Sequence, residues 1–496
     1  MSPRSLFVLV LVVIAITVTS ARAQVHATAD TTTMPMPMPG MHHGSSGAPA
    51  TPRKATKKKV APTTSHAHAA PRAHTTPGAR PAPAASHAHA MPMAGMDMSH
   101  GMSMPHGGHA MTGLYGPYAM TREASGTAWQ PDAAEHAGIH AMRGPWMLML
   151  HGMVDVVWDH QGGPRGDEKL FGANMLMGMA SRPFGAGTLG LRAMTSLEPV
   201  TIGTKGYPLL LQTGETANGV TPLIDRQHPH DLFMELAGSY SVARGKSSVF
   251  LYGGLPGEPA LGPPAFMHRF SGENDPVAPI THHWLDSTHI TFGVLTAGAV
   301  LDRVKVEASA FRGREPDQNR WNFDRPKLDS WSFRASLNPA PWAALQVSHG
   351  RIESPEQLEP EVDQDRTTAS AMFDGRWRGG RWEGLIAWGR NRNRPGRTLD
   401  GFTVEAAAGV GDAHTLFARA ERVEKDELFV EPDPHVGEPF TVGELTAGWR
   451  FDLLRRAHAR AGLGIAGTVA FVPRAIRGAY GDRPRSVLLF VHGALR

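Results

Sequence analysis

The chain has 496 residues, no cysteine, and 49 basic against 45 acidic residues, a length that suits three ordinary domains or one large barrel. Zero cysteine excludes disulfides, thiolate metal sites and a Cys nucleophile. A net charge of +4 with no clustered basic and aromatic surface points to no nucleic-acid partner, and no apolar run near 20 residues follows the N-terminus, which excludes ordinary helical spans.

Residues 1–23 read as a secretory signal. Arg4 gives the positive start, Leu6 to Val18 is apolar but for Thr17, and Ala21-Arg22-Ala23 is a small-x-small cleavage site before Gln24. Export is the first expectation.

Residues 24–112 contain no Phe, Tyr, Trp, Ile or Leu. Such a segment buries too little apolar surface to offset its ordering entropy, so it is expected to be a disordered Met/His/Pro/Ala-rich tail. It holds 11 of the 26 His and 11 of the 24 Met. Met34, Met36, Met38, Met41, His42 and His43 form one cluster. Met91, Met93, Met96, Met98, His100, Met102, Met104, His106, His109 and Met111 form a second. Thioethers suit Cu(I) and imidazoles suit Cu(II), Zn and Ni; without a tight zinc spacing, copper is the favoured metal. The alternative is a low-complexity linker, although drift toward Ala and Pro explains Met-x-Met poorly. Residues 113–145 are expected to be a linker or periplasmic lead-in.

From Trp146 onward the pattern is period-2. Val304, Val306, Ala308 and Ala310 alternate with Lys305, Glu307 and Ser309; Trp331, Phe333, Ala335 and Leu337 alternate with Ser332, Arg334 and Ser336. That is the strand signature. Strands are expected to begin near 146, 170, 186, 232, 246, 288, 302, 328, 341, 366, 380, 400, 413, 440, 457 and 485. The fold class is therefore all-β: a transmembrane antiparallel barrel over 146–496 of about 16 strands, between 14 and 18. Short turns are expected at 299–303, 338–342, 378–381 and 411–413. Long loops are expected at 200–231, 256–287, 313–327, 351–366, 391–400 and 425–439. Short turns at one rim and long loops at the other mark outer-membrane barrels, as do aromatic girdles, for which Trp342, Trp377, Trp382, Trp388 and Trp449 are candidates.

On these features the chain resembles Gram-negative outer-membrane β-barrels. Its layout, an exported Met/His tail before a barrel, resembles the copper-resistance outer-membrane protein B family. The blocks Ser125-Gly-Thr-Ala-Trp-Gln-Pro-Asp132 and Asp225-Arg-Gln-His-Pro-His-Asp231 resemble a group of uncharacterised exported barrel proteins. The resemblance implies an outer-membrane location with lipid as partner, and copper as the ion handled. The tail, which opens the mature chain, is expected in the periplasm.

The two longest loops carry a second cluster: His228, His230 and Asp231 in one, His282, His283 and Asp286 in the other, with His268 and His289 nearby. His228 and His230 are two apart, so an extended chain turns both imidazoles one way. Two readings stay open: N and O ligands for a divalent ion, or a hydrogen-bonded network folding the loops into the lumen. No catalytic spacing, phosphate loop or dinucleotide fingerprint is present, so no catalytic residue is assigned and the chain is expected not to be an enzyme. The general alternatives are a porin-like channel with a dispensable tail and a barrel enzyme built on the loop histidines. Arg192, Arg334, Arg390, Arg419, Arg422 and Arg450 lie in or near strands with Glu307, Glu383, Glu405, Glu421 and Glu444. Facing the lumen they would form charge ladders or mutual salt bridges, and their near balance predicts weak ion selectivity.

Overall fold

The computed structural model describes residues 111–135 and 138–495. The strands in chain order are β1 (Ile139–Arg143), β2 (Trp146–Gln161), β3 (Glu168–Phe184), β4 (Gly187–Thr195), β5 (Tyr207–Pro208) and β6 (Arg226–Gln227). Then come β7 (Phe233–Arg244), β8 (Ser247–Gly254), β9 (Val294–Leu301), β10 (Val304–Phe311), β11 (Ser330–Ala340), β12 (Ala343–Ile352) and β13 (Asp363–Trp377). The last six are β14 (Gly380–Arg394), β15 (Thr398–Val410), β16 (His414–Lys425), β17 (Phe440–Arg456), β18 (Ala459–Phe471) and β19 (Arg485–Leu495).

Setting aside β1, β5 and β6, each strand pairs antiparallel with the next, β4 pairs with β7, and β19 returns to β2. Sixteen strands thus close one barrel, the number expected from the alternation. β1 lies on the same edge of β2 as β19 does: Ile139 is opposite Leu150, while Leu495 is opposite Gly152. The first and last strands therefore abut end to end along one partner.

Period 2 sorts the side chains. On β10, Lys305, Glu307, Ser309 and Phe311 are buried inside, while Val304 and Val306 are exposed outside. The outward set includes Val154, Leu176, Leu251, Leu295, Phe333, Val347, Ile386, Leu416, Ile465 and Leu489. An exposed apolar belt of that extent would aggregate in water; in a bilayer it is the lipid contact surface. Trp342 and Trp449 stand outward toward the short-turn rim and Trp331 toward the other, where amphipathic rings meet the membrane interface.

The short connections, at 185–186, 245–246, 302–303, 341–342, 378–379, 411–413 and 457–458, all lie at one rim. The opposite rim carries 196–232, 255–293, 312–329, 353–362, 426–439 and 472–484. Strand starts fall within three residues of expectation except at β9. There 288–293 looks strand-like, yet Ser287–His289 is a 3-10 turn and Thr288 to Phe292 are buried throughout. One expected long loop is corrected: between β14 and β15 only 395–397 intervene. Arg390, Arg392 and Arg394 lie on strand, past the apolar belt, and their polarity imitates a loop.

Parity also corrects the charge ladders. Arg192, Arg334, Arg419 and Arg450 point inward and are buried. Arg390 and Arg422 fall on the outward parity of β14 and β16, where they pair with Asp400 and Glu424. Inside, the mutual salt bridges prevail: Arg334 Nε to Glu307 at 2.9 Å, Arg419 Nε to Glu421 at 3.0 Å, and Arg450 Nε to Asp452 at 2.9 Å.

Candidate functional site: a histidine cluster in a filled lumen

The lumen is occupied by the chain itself. Residues 111–135 fold against the inner wall at the short-turn end. Ser241 and Ser248 hydroxyls donate to the carbonyls of Leu114 and Tyr115, each at 2.6 Å, and Arg192 and Lys305 donate to the carbonyls of Gly126 and Thr127. The expected lead-in is thus an ordered plug segment in its first part, and it starts within the expected tail: Thr112 bridges to Ala119.

The two insertions enter from the other end. Residues 255–293 are made of short turns and helices, including Phe270–Glu273 and His282–Leu285, and they are pinned by charge. Arg269 is fully buried and donates to Glu405 at 2.6 and 2.7 Å and to Asp286 at 2.9 Å. Thr281 donates to Glu421 and Arg419 meets Asp275 at 2.9 Å. Ala265 N donates to Ser125 Oγ at 2.9 Å, where the two plugs meet. Each of these buried charges thereby has a partner, which offsets the cost of its burial.

Residues 196–232 carry the helix Glu198–Thr201 and the β5–β6 pair. β6 ends at Gln227, just before His228 and His230. Their rings meet those of the second insertion: His228 and His283 centroids are 6.2 Å apart, His230 and His289 5.3 Å, His282 and His283 5.5 Å, and His282 and His289 5.1 Å. Five imidazoles from two distant segments thus form one buried group.

Carboxylates surround it. His228 Nε2 lies 2.8 Å from Glu215, His230 Nδ1 2.9 Å from Glu198, and His282 Nδ1 2.8 Å from Asp286. His289 Nδ1 lies 2.8 Å from the carbonyl of Asp286. The hydrogen-bonded network expected as one reading is therefore present. Burial pushes the His228 imidazole down to about 4 and holds His283 and His289 well below the ordinary histidine value. His282 is lowered by burial as well, with Asp286 opposing. Burial works against the Asp286 carboxylate too, yet His282 and Arg269 hold it below its usual range. Neutral imidazole is the form that ligates a metal.

Among the described residues no three His, Asp or Glu side chains are placed to hold one ion, since several ring nitrogens already face carboxylates. Nε2 of His230, His283 and His289 nonetheless lacks a hydrogen-bond partner, and these buried lone pairs suit copper or zinc by donor type. Asp231 is separate from the cluster: it faces Arg320 at 3.2 Å, and burial beside Asp324 and Asp317 raises its carboxyl well above normal. Beyond His283 a cavity of about 20 Å³ is lined by Glu315, Glu356, Glu427 and Arg366. Burial and the neighbouring carboxylates raise Glu356 well above its ordinary value. Ser287 accepts from Arg366 at 2.9 Å and donates to Glu315.

The expected tail ligands from Met34 to His109 lie outside the described residues. Met111 is exposed, and its carbonyl accepts from Met120 N at 2.7 Å. Reading the sequence alone missed Glu198, Glu215, Glu315 and Arg320, which have no motif spacing to the histidines; a carboxylate opening each loop is a signal too common to single out.

No family model and no curated protein sequence matches the chain. Solved structures with a similar fold include OmpT of Vibrio cholerae, at 7% identity over 72% of this chain and 100% of that one, TM-score 0.42. An anion-selective porin from Comamonas acidovorans is 10% identical over 70% and 99%, TM-score 0.42. The outer membrane channel DcaP of Acinetobacter baumannii is 9% identical over 72% and 100%, TM-score 0.42. At these values the likeness carries no functional information.

Proposed function

We propose that this chain is an outer-membrane barrel that handles metal ions, copper foremost, with an exported Met/His tail for capture and a lumenal plug that governs passage. The short-turn rim and the tail face the periplasm in this reading. The observation that carries it is the gathering of five buried imidazoles from two insertions inside the lumen. A purely structural plug would be served by the Arg–carboxylate pairs alone, without imidazole nitrogens left unpartnered. The tail composition supplies the preference for copper. The filled lumen speaks against an open porin-like channel.

The test is copper tolerance and copper content of Gram-negative cells producing the full chain, a chain lacking 24–110, or a chain with His228, His230, His282 and His283 replaced by Ala. The full chain is expected to change both, and each variant to lose part of the effect. Unchanged tolerance and content with all three chains inserted in the membrane would overturn the reading.

A further inference from the structure

Outside the tail, six methionines occupy inward positions on three neighbouring strands: Met149 and Met153 on β2, Met175, Met177 and Met179 on β3, and Met194 on β4. The register sets them side by side. Met149 is opposite Met179, Met153 opposite Met175, and Met177 opposite Met194. All but the partly buried Met153 are less than a tenth exposed. At equivalent inward positions β10 to β17 carry mostly Lys, Arg, Glu, Ser and Thr.

The row begins near the short-turn rim, where Gly138 lies against Met149, and leads to a cavity of about 30 Å³. That is room for about two water molecules. Met153, Met175, Met267, Glu198, His228 and His230 line it. The His230 side chain is 92% buried, and its Nε2 has no hydrogen-bond partner. Glu198 Oε2 sits 2.9 Å from Nδ1 but outside hydrogen-bond geometry, so neither ring nitrogen of His230 is committed to a partner.

Methionine often fills gaps in apolar cores. These methionines do join the buried apolar cluster between wall and plug, yet they concentrate on three adjacent strands and end at a cavity that also holds an unpartnered imidazole. We propose that this cavity binds a soft monovalent cation, Cu(I), through the thioethers of Met153, Met175 and Met267 with the imidazole of His230. Met149, Met179, Met177 and Met194 form the approach. Thioether and imidazole donors suit Cu(I), and the carboxylates that also line the cavity, Glu198, Glu273 and Asp275, make it attractive to a cation. The inference rests on the metal-handling reading above and deepens it.

The test uses the full chain in detergent and Ag(I), which shares the charge and softness of Cu(I) without its redox chemistry. Equivalents bound against a competing chelator are counted for the parent and for Met153→Leu/Met175→Leu/Met267→Leu. In parallel, peroxide oxidation of the parent, mapped by peptide, is compared with and without Ag(I). The expected result is one equivalent fewer in the variant and slower oxidation of Met153, Met175 and Met267 in the parent. Equal equivalents, or no protection of those three residues, would overturn the site. If tail methionines are then still protected, the metal-handling reading survives; if nothing binds, both fall. Should the variant fail to fold, protection in the parent alone decides.

Discussion

At the residue scale the plug hangs on single charges that burial makes decisive. Arg269 joins Asp286 of the plug to Glu405 of the wall. Arg269→Met would leave two buried carboxylates without their partner, a loss of about 3–5 kcal/mol. Residues 255–293 are therefore expected to lose hydrogen-exchange protection while the strands keep theirs; unchanged protection in the insertion would refute this. Glu258 is a pH-sensitive contact where the two plugs adjoin: its side chain packs against Gly126 and its carboxyl is hydrogen-bonded to Ser125. Burial raises its pKa to about 8, with Arg334 opposing. A folded value above the unfolded one stabilises fully below about 4.5, and that contribution is lost as pH rises through about 8. Protection factors over 111–135 are expected to fall between about pH 5 and 8 in the parent and to stay flat in Glu258→Gln. A parallel fall in both chains would assign the effect elsewhere.

At the scale of elements, the barrel carries three cross-strand pairs of an inward aromatic ring over a glycine: Phe250 with Gly298, Phe417 with Gly448, and Phe490 with Gly464. A Cβ on Gly448 would collide with the Phe417 ring. Gly448→Ala is expected to destabilise by about 1–3 kcal/mol and to recover in part when combined with Phe417→Leu, as read by the temperature at which the folded barrel loses its compact gel mobility. Additive losses would show the two residues to be uncoupled. The strands themselves were legible because one face meets lipid and the other a polar interior, so polarity alternates without interruption. Legibility failed where that contrast fails. Thr288 to Phe292 are buried on every side and imitate a strand, while Arg390 to Arg394 are polar on both parities and imitate a loop. The candidate site was legible as two histidine-bearing loops. Asp286 was legible beside His282, but Glu198, Glu215 and Glu315 were not, because their proximity arises from how separate connections, 196–232, 255–293 and 312–329, fold back into the same space.

At the scale of the whole barrel, inward polar groups from Asp155 and Asp159 on β2 to Arg450 and Asp452 on β17 are buried. A sixteen-strand barrel is wide enough for an aqueous channel, and here that width is taken up by 111–135 and the two insertions. Full-length chain in planar bilayers is therefore expected to show no steady conductance. Arg269→Met is expected to show brief openings, since it weakens the tie of 255–293 to the wall. Steady conductance by the parent at the level of an empty barrel would contradict a lumen filled in this way.

The shared edge of β2 has a consequence for assembly. β1 and β19 lie in line along that strand, and residues 111–135 are enclosed by the wall. Zipping β19 onto β2 completes the cylinder, and a segment packed inside it has no side entrance afterwards. Residues 111–135 thus enter either through a rim or before this seam closes. Until Arg485–Leu495 arrives, the facing edges of β2 and β18 stand open to pairing with other chains. Loss of the final strand would therefore leave an open-edged, self-associating sheet in place of a narrower pore.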